Sequence, residues 1–469
     1  MSNRCLLETM PIVAGVDSST QSVKVVLRDS DSGELIASTS RPHLDGTEID
    51  PQHWWKALSE ALDELGSHKI SAISIAGQQH GMIALDKDGA VIRDALLWND
   101  TRSDKAAVDL NQEIPDIALR TGSQLVASFT ASKLRWLADN EKENANQVAA
   151  IALPHDWLSW KLSGAKSLDT LFTDRSDASG TGYFDSVKNE YRLDILETAM
   201  RSSKQIILPK IIAPNQFGAT SVDFIPIAAG AGDNAGAALG LGASLGDLVI
   251  SLGTSGTAFA VSKSSTHDSS GEVAGFADAT GNFLPLACTL NAAKIFNTVA
   301  RSLSISFEEF SSLALSAKAG AEGLRMVPHF DGERTPNKPR AKGSFHGMTH
   351  SNFTKENIAR ASIEGVVAGM IYAARAVERL GVSYTRILLI GGAAKNSAVQ
   401  QISADLFGRT IHIPAIGEYV ADGAAKQAAW ALSGSANPPK WSLGKEIEVT
   451  PKARVDGVIE GYFELISLS

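Results

Sequence analysis

Two stretches decide how this chain folds: IVAGVDSSTQSVKVVL at 12–27 and LVISLGTSGTAFAVS at 248–262. Each sets an apolar run, a short turn of small polar residues that includes a threonine, and a second apolar run, which is the pattern of strand, tight turn and strand. Asp17 precedes Gly253 by 253 − 17 = 236 positions, close to half of the 469 residues. A supersecondary unit that recurs at half the chain length predicts two related α/β domains, placed at 1–240 and 241–469.

The flanking sequence agrees with a mixed α/β reading in both halves. After the first opening, DSGE and LIASTSRPH add a turn and a third strand. QHWWKALSEALDELG (52–66) then carries Trp54, Leu58, Ala61, Leu62 and Leu65 on one helical face, with Gly66 as a stop. KISAISIAGQQHGMIALDKDG (69–89) reads as strand, polar loop and strand, which puts His80 at the end of a buried strand. In the second half, KENIARASIEGVVAGMIYAARAVERLG (355–381) predicts a long core helix. SYTRILLIGGAAKNSAVQQISADLFG (383–408) predicts a strand, a glycine turn and a helix, and DGAAKQAAWALSG (422–434) a small-residue helix in the second domain. Asp422 and Lys426, four apart on that helix, read as a surface pair.

Composition narrows the function classes. Apolar residues make up 44% and charged residues 20%, which is ordinary globular chemistry, and the net charge of −9 offers no general attraction for polyanions, so no nucleic-acid partner is expected. Cys5 and Cys288 are too few for a disulfide framework or a four-ligand zinc site; Cys5 reads as an exposed thiol and Cys288 as a small buried hydrophobe. The N-terminus lacks the apolar core of a secretory signal, and the glycine-rich stretch between Asp233 and Asp247 is too short to span a bilayer. A cytoplasmic protein without membrane contact is the expectation, and a homodimer is left open.

The chain holds no GxxxxGK[ST], no GxGxxG, no HExxH and no CxxC. What remains are three turns that directly follow apolar strands, at Asp17–Thr20, Gly253–Gly256 and Gly391–Gly392, where backbone N–H groups converge as phosphate oxygens require. Asp17 suits magnesium, and Gly253, Thr254 and Ser255 suit a phosphate tail. Asp233 beside Asn234 in a glycine-flanked bend suits a general base for a sugar hydroxyl, with Asn234 aligning hydroxyls; the same pair also suits a helix cap. Gln79 and His80 fit either polyol recognition or an ordinary turn. Trp98, Asn99, Asp100 and Arg102 fit either a pocket wall or a surface turn. Lys338, Arg340 and Lys342 form a proline-stiffened basic loop, read as solvated or as the edge of a cleft.

Taken together, these strings resemble the FGGY carbohydrate kinases over essentially residues 12–435. GVDSSTQSVK (15–24) is similar to the family's first phosphate hairpin, and AGQQHG (76–81) with LLWNDTR (96–102) to its sugar-site segments. SFTASKLRWL (128–137) and LPHDWLSWKLSG (153–164) resemble its N-terminal-domain signatures, and TDRSDASGTGYFD (173–185) resembles the pentulose-kinase members in particular. GAGDNAG (230–236) resembles the catalytic motif and SLGTSG (251–256) the second phosphate segment. PHFDGERTPNKPRAKGSFHGMT (328–349) resembles a characteristic C-terminal-domain stretch, and IGGAAKNS (390–397) the adenosine turn.

The resemblance implies a two-domain actin-like, ribonuclease-H-like α/β fold with a five-stranded mixed sheet in each domain and a central interdomain cleft. It implies ATP- and Mg2+-dependent phosphorylation of a small-molecule pentulose, D-xylulose first, at the 5-hydroxyl. Ribulose, gluconate or glycerol are the alternative acceptors, and a catalytically silent sugar sensor is the alternative of a different class. By the resemblance Asp233 is the base, Gln79, His80, Asp233 and Asn234 are sugar contacts, and Asp17 is the metal-side acid. Thr20, Gly253 and Thr254 are phosphate-side positions, and Gly391, Gly392 and Asn396 are adenosine-side positions. Many bacterial members carry Met-His where this chain has Gln79-His80, a difference that bears on sugar preference.

Overall fold

The computed structural model describes residues 10–442, 444–453 and 455–468; Cys5 lies outside them. The chain forms two compact units that are not contiguous in sequence. The first takes the chain through Ala243 together with Phe276–Phe283 and Gly417–Ser442; the second takes Ser244–Gly275, Leu284–Ile416 and the chain beyond Ser442. A single division at 240/241 therefore misses two returns to the first unit, Phe276–Phe283 and Gly417–Ser442, and the second of these contains the small-residue helix read into the second domain.

The first unit is built on a mixed sheet. Strands β1 (Ile12–Ser18), β2 (Ser22–Asp29) and β3 (Leu35–Pro42) form the expected antiparallel meander, with Val16 opposite Val25 and Asp17 opposite Lys24. Strand β4 (Ile70–Gly77) runs parallel to β1, followed at the edge by β5 (Phe217–Thr220) and β6 (Pro226–Ala228), while the short β7 (Ala231–Gly232) also pairs with β4. The order is β5-β6-β4-β1-β2-β3. Alternate residues of the buried strands face helix α1 (Gln52–Glu64), where Trp54, Leu58 and Ala61 recur at helical spacing and are buried against Val16, Leu27 and Ile75. The Asp50 carboxylate starts that helix by accepting from the Gln52 amide at 2.9 Å. Burying a side chain such as Leu58 contributes roughly 1.5–3 kcal/mol, which is why the stripe outweighs the β preference of Trp54 within it and of Trp55 beside it.

The second unit repeats the plan. Strands β8 (Asp247–Leu252), β9 (Gly256–Ala260), β10 (Val273–Ala277), β11 (Phe283–Thr289), β12 (Arg386–Ile390), β13 (Ile411–Ile413) and β14 (Ile447–Val449) lie in the order β10-β11-β9-β8-β12-β13-β14. β8 is antiparallel to β9 and parallel to β12, as β1 is to β2 and β4. Helix α2 (Lys355–Arg379) buries Ile363, Val366, Val367 and Met370 in this unit's core, as its periodicity predicts. Each sheet thus contains the five-strand order 3-2-1-4-5, widened to seven among the described residues by β5 and β7 in one unit and by β10 and β14 in the other.

Glycine placement fixes one close crossing inside the first unit. Helix α3 (Asp233–Gly240) meets α4 (Tyr419–Ser433) where a Cβ on Gly423 would sit 1.9 Å from the Gly236 carbonyl oxygen, and one on Gly240 would sit 2.0 Å from that of Tyr419. Asp422 and Lys426 are consequently buried, not a surface pair. Asp422 joins Arg28 at 2.7 Å, and Lys426 Nζ donates at 3.0 Å to the Leu239 carbonyl, at the C-terminal end of α3, where a cation is favoured.

Candidate functional site

Parallel pairing brings three strand ends together. Ser18 of β1 and Gly232 of β7 both lie opposite Gly77 of β4, so Asp17, the 78–80 loop and Asp233 all leave the C-terminal edge of one sheet. Ligands of open α/β sheets gather at that edge because parallel strands all end there in loops.

Asp233 is the first residue of α3, and Gly232 occupies the cap position, so the capping alternative does not describe it. Its Oδ1 accepts from the Asn234 amide at 2.7 Å and from Asn234 Nδ2 at 2.8 Å. Burial pushes this carboxyl up to about 6, although both Asn234 hydrogen bonds pull it down and part of its surface stays open. Asp17 is buried on β1, and burial raises it to about 7; the Ser19 hydroxyl and Lys24 lower it, while the Asp233 and Glu418 carboxylates raise it. An acid held in this way among other carboxylates has the chemistry that a hard divalent cation relieves, so the residues present fit magnesium.

Thr20, in the β1–β2 turn, accepts from Trp98 Nε1 at 2.8 Å. Asp100 and Arg102 form the turn pair at 2.8 Å, tied further by Thr47 and Glu48. Gln79 is buried with its Nε2 donating to the Ser176 carbonyl at 3.0 Å, and its side chain fills the space that a Cβ on Gly232 would need. That amide is therefore part of the support under Asp233. His80 has φ of 70°, in the left-handed region, and its Nδ1 lies 2.6 Å from the Gly180 carbonyl with Phe129 and Phe276 against the ring.

Residues that sequence reasoning left without roles hold these groups from behind. His155 Nδ1 pairs with Asp177 at 2.6 Å and lies 3.2 Å from Asp156, and all three are buried. Burial opposes the imidazolium, but the two carboxylates outweigh it and raise His155 to about 10. Gly230 has φ of +85°, and a Cβ there would meet His155 at 2.2 Å, so the turn that delivers Asp233 needs glycine on both counts. Lys133 is fully buried and donates to the His80 carbonyl at 3.0 Å and to that of Ser128. The available signal was a charged residue within LPHDWLSWKLSG or SFTASKLRWL.

In the second unit, the turns predicted at Gly253–Thr254 and Gly391–Gly392 follow the adjacent parallel strands β8 and β12. Gly391 has φ of +92°, and a Cβ there would lie 2.6 Å from the Leu252 carbonyl, while a Cβ on Gly392 would meet nothing within 4 Å. The Gly253 carbonyl accepts from the Ala293 amide at 3.0 Å, which seats the turn on a helix N-terminus. Glycine at these turns leaves the backbone open to close approach by a ligand, which fits a phosphate tail. Asn396 serves as an N-cap, its Oδ1 accepting from the Ala398 amide at 2.9 Å and the Val399 amide at 3.2 Å, with Nδ2 on Ser311. Glu333 anchors the basic loop by accepting from Leu290 N at 2.6 Å and Asn291 Nδ2 at 3.0 Å; Arg340 and Lys342 are exposed. Cys288 is buried, as expected. Among the described residues, no helix is long and apolar enough to cross a membrane.

Two α/β units of repeated sheet order, with acid groups at one strand edge and glycine turns at the other, define a two-domain kinase of the actin-ATPase type. The family model for the FGGY family of carbohydrate kinases matches in both parts, its N-terminal domain over 12–240 and its C-terminal domain over 248–432, and the chain belongs to that family. It is accordingly a carbohydrate kinase, a phosphotransferase acting on a small sugar or polyol. A xylulose kinase of Streptomyces rubiginosus is 42% identical over 442 residues, covering 90% of this chain and 89% of its own. The crystal structure of xylulose kinase from Bifidobacterium adolescentis superposes with a TM-score of 0.90 at 42% identity, covering 97% and 99% of the two chains. That of gluconate kinase from Lactobacillus acidophilus shares the fold, with a TM-score of 0.86 at 24% identity over 98% of this chain and 96% of its own.

Proposed function

We propose that the protein transfers the γ-phosphoryl group of ATP to the 5-hydroxyl of D-xylulose, giving D-xylulose 5-phosphate and ADP. The observation that carries this reading is the Asp233 carboxyl, raised to about 6 by burial, ionised at neutral pH and set next to Asn234 and close enough to Asp17 for the two charges to interact. A base with proton affinity just below the working pH accepts the hydroxyl proton as the oxygen attacks phosphorus, and returns it to solvent afterwards. Asn234 and His80 orient the sugar hydroxyls, and Gln79 holds the loop through Ser176 while bordering the same edge. Asp17 is the residue to hold magnesium, which when bound offsets negative charge on the phosphate oxygens. Thr20, Gly253 and Thr254 suit the phosphates, and Gly391, Gly392 and Asn396 the adenosine side, Asn396 through the turn it caps. The choice of D-xylulose is favoured by 42% identity across nine-tenths of the chain to a xylulose kinase.

Steady-state kinetics with ATP and Mg2+ over D-xylulose, L- and D-ribulose, gluconate and glycerol test the substrate. The largest kcat/KM is expected for D-xylulose. Turnover of another acceptor with none of D-xylulose refutes it, and sugar binding without any phosphorylated product would identify a silent sensor.

A further inference from the structure

His80 is strained at its backbone, and the strain has a visible restraint. A histidine at φ of 70° is held there only if its surroundings over-determine it. Its carbonyl receives two donors from one helix (Thr130–Asn140): Lys133 Nζ at 3.0 Å and Thr130 Oγ1 at 3.2 Å. Lys133 is completely buried, and its other acceptor is also a backbone carbonyl, that of Ser128. Packing alone would be served by leucine or methionine at lower cost, since a buried ammonium loses its hydration.

We propose that Lys133 and Thr130 are positioning residues that clamp the His80 carbonyl, hold that residue in the left-handed conformation and thereby set where its imidazole meets the sugar. The inference rests on the reading of His80 as a sugar contact. The clamp does not depend on the lysine's charge: burial lowers its pKa to about 7, and amine and ammonium both present N–H donors. The His80 ring is fixed at its far side by the Gly180 carbonyl at 2.6 Å and by Phe129 at 4.8 Å between centroids, so rotation of the backbone would pull the ring from both contacts.

The test uses the full-length protein with D-xylulose and ATP varied separately, for Lys133→Met, Thr130→Val, His80→Ala and the double variant His80→Ala/Lys133→Met, each checked for folding by thermal unfolding. Loss of a buried hydrogen bond from Lys133 is expected to raise the D-xylulose KM about tenfold or more, with the ATP KM within about twofold of the parent. Thr130→Val, nearly isosteric, is expected to raise the sugar KM about threefold, and carries the test if Lys133→Met does not fold. The double variant should be no worse than His80→Ala, because both changes remove one function. A general structural role would instead lower the active fraction and leave both KM values in place, which overturns the clamp. So would unchanged sugar KM in Lys133→Met and Thr130→Val alongside a raised one in His80→Ala. An unchanged sugar KM in His80→Ala overturns the underlying sugar assignment itself.

Discussion

Asp233→Asn separates catalysis from stability in opposite directions. The substitution keeps an acceptor oxygen for both Asn234 hydrogen bonds and removes the charge and the base. With the carboxyl at about 6 in the fold against 3.8 in the unfolded chain, the folded state favours the proton. The stability this confers is complete below pH 3.8 and lost as pH rises through about 6. At 1.36 kcal/mol per pH unit the difference reaches about 3 kcal/mol at most above pH 7, and partial exposure of the side chain reduces it to roughly 1–2 kcal/mol. Asp233→Asn should therefore unfold roughly 2–6 °C higher than the parent at pH 8, with little difference at pH 4. In the same protein kcat should fall about 10²- to 10⁴-fold, the range for a general base, while sugar binding measured by calorimetry persists. The parent's rate should also fall as pH drops through about 6, because the base must be ionised. Scanning calorimetry at the two pH values and a coupled ADP assay make the comparison. A variant that retains more than a tenth of kcat with the acid limb intact refutes the base, and one that is less stable at pH 8 refutes the burial argument.

Asp17→Asn should weaken activation by Mg2+, read as a rise in the concentration needed for half-maximal rate; an unchanged titration would remove Asp17 from the metal side. His155→Ala leaves Asp177 and Asp156 buried without their cation and should cost about 3–5 kcal/mol in urea unfolding near neutral pH. Because His155 is raised from 6.5 to about 10, its stabilisation is complete below pH 6.5 and declines as pH rises towards 10, so the parent should lose this contribution progressively between about pH 6.5 and 10 and the variant should not. Gly423→Ala forces a methyl to 1.9 Å from the Gly236 carbonyl, and since neither helix backbone yields easily a loss of about 1–3 kcal/mol or more is expected by denaturant titration.

The sequence revealed most where its information was local. The alternation around Asp17 and Gly253 specified both strand–turn–strand openings, and their spacing pointed to two related α/β domains; the strand order itself was not legible. Asp233, His80 and Asp17 were legible as candidates because they are polar residues at or next to the ends of buried strands, while a helix cap and an ordinary turn fitted Asp233 and His80 from the sequence as well. The return of α4 to the first unit was not legible, since a small-residue helix carries no mark of its partner; Gly423 acquires its meaning only against Gly236. Lys133 and Lys426 looked like ordinary charged positions on helices, and their acceptors, the His80 and Leu239 carbonyls, lie 53 and 187 residues away. His155 and Asp177 are 22 residues apart, a pairing that local periodicity does not contain. Asn396 shows the reverse case: its capping role is local, and the reading of a glycine turn leading into a helix already put it at the helix start.

Identifying the product decides whether this protein phosphorylates D-xylulose at its 5-hydroxyl. With purified protein, ATP, Mg2+ and D-xylulose, phosphorus NMR with proton coupling should show one sugar phosphate, attached at the 5-carbon, formed in step with ADP. ATP consumption without a sugar phosphate, phosphate at another carbon, or no reaction with D-xylulose while another acceptor is turned over would contradict the account.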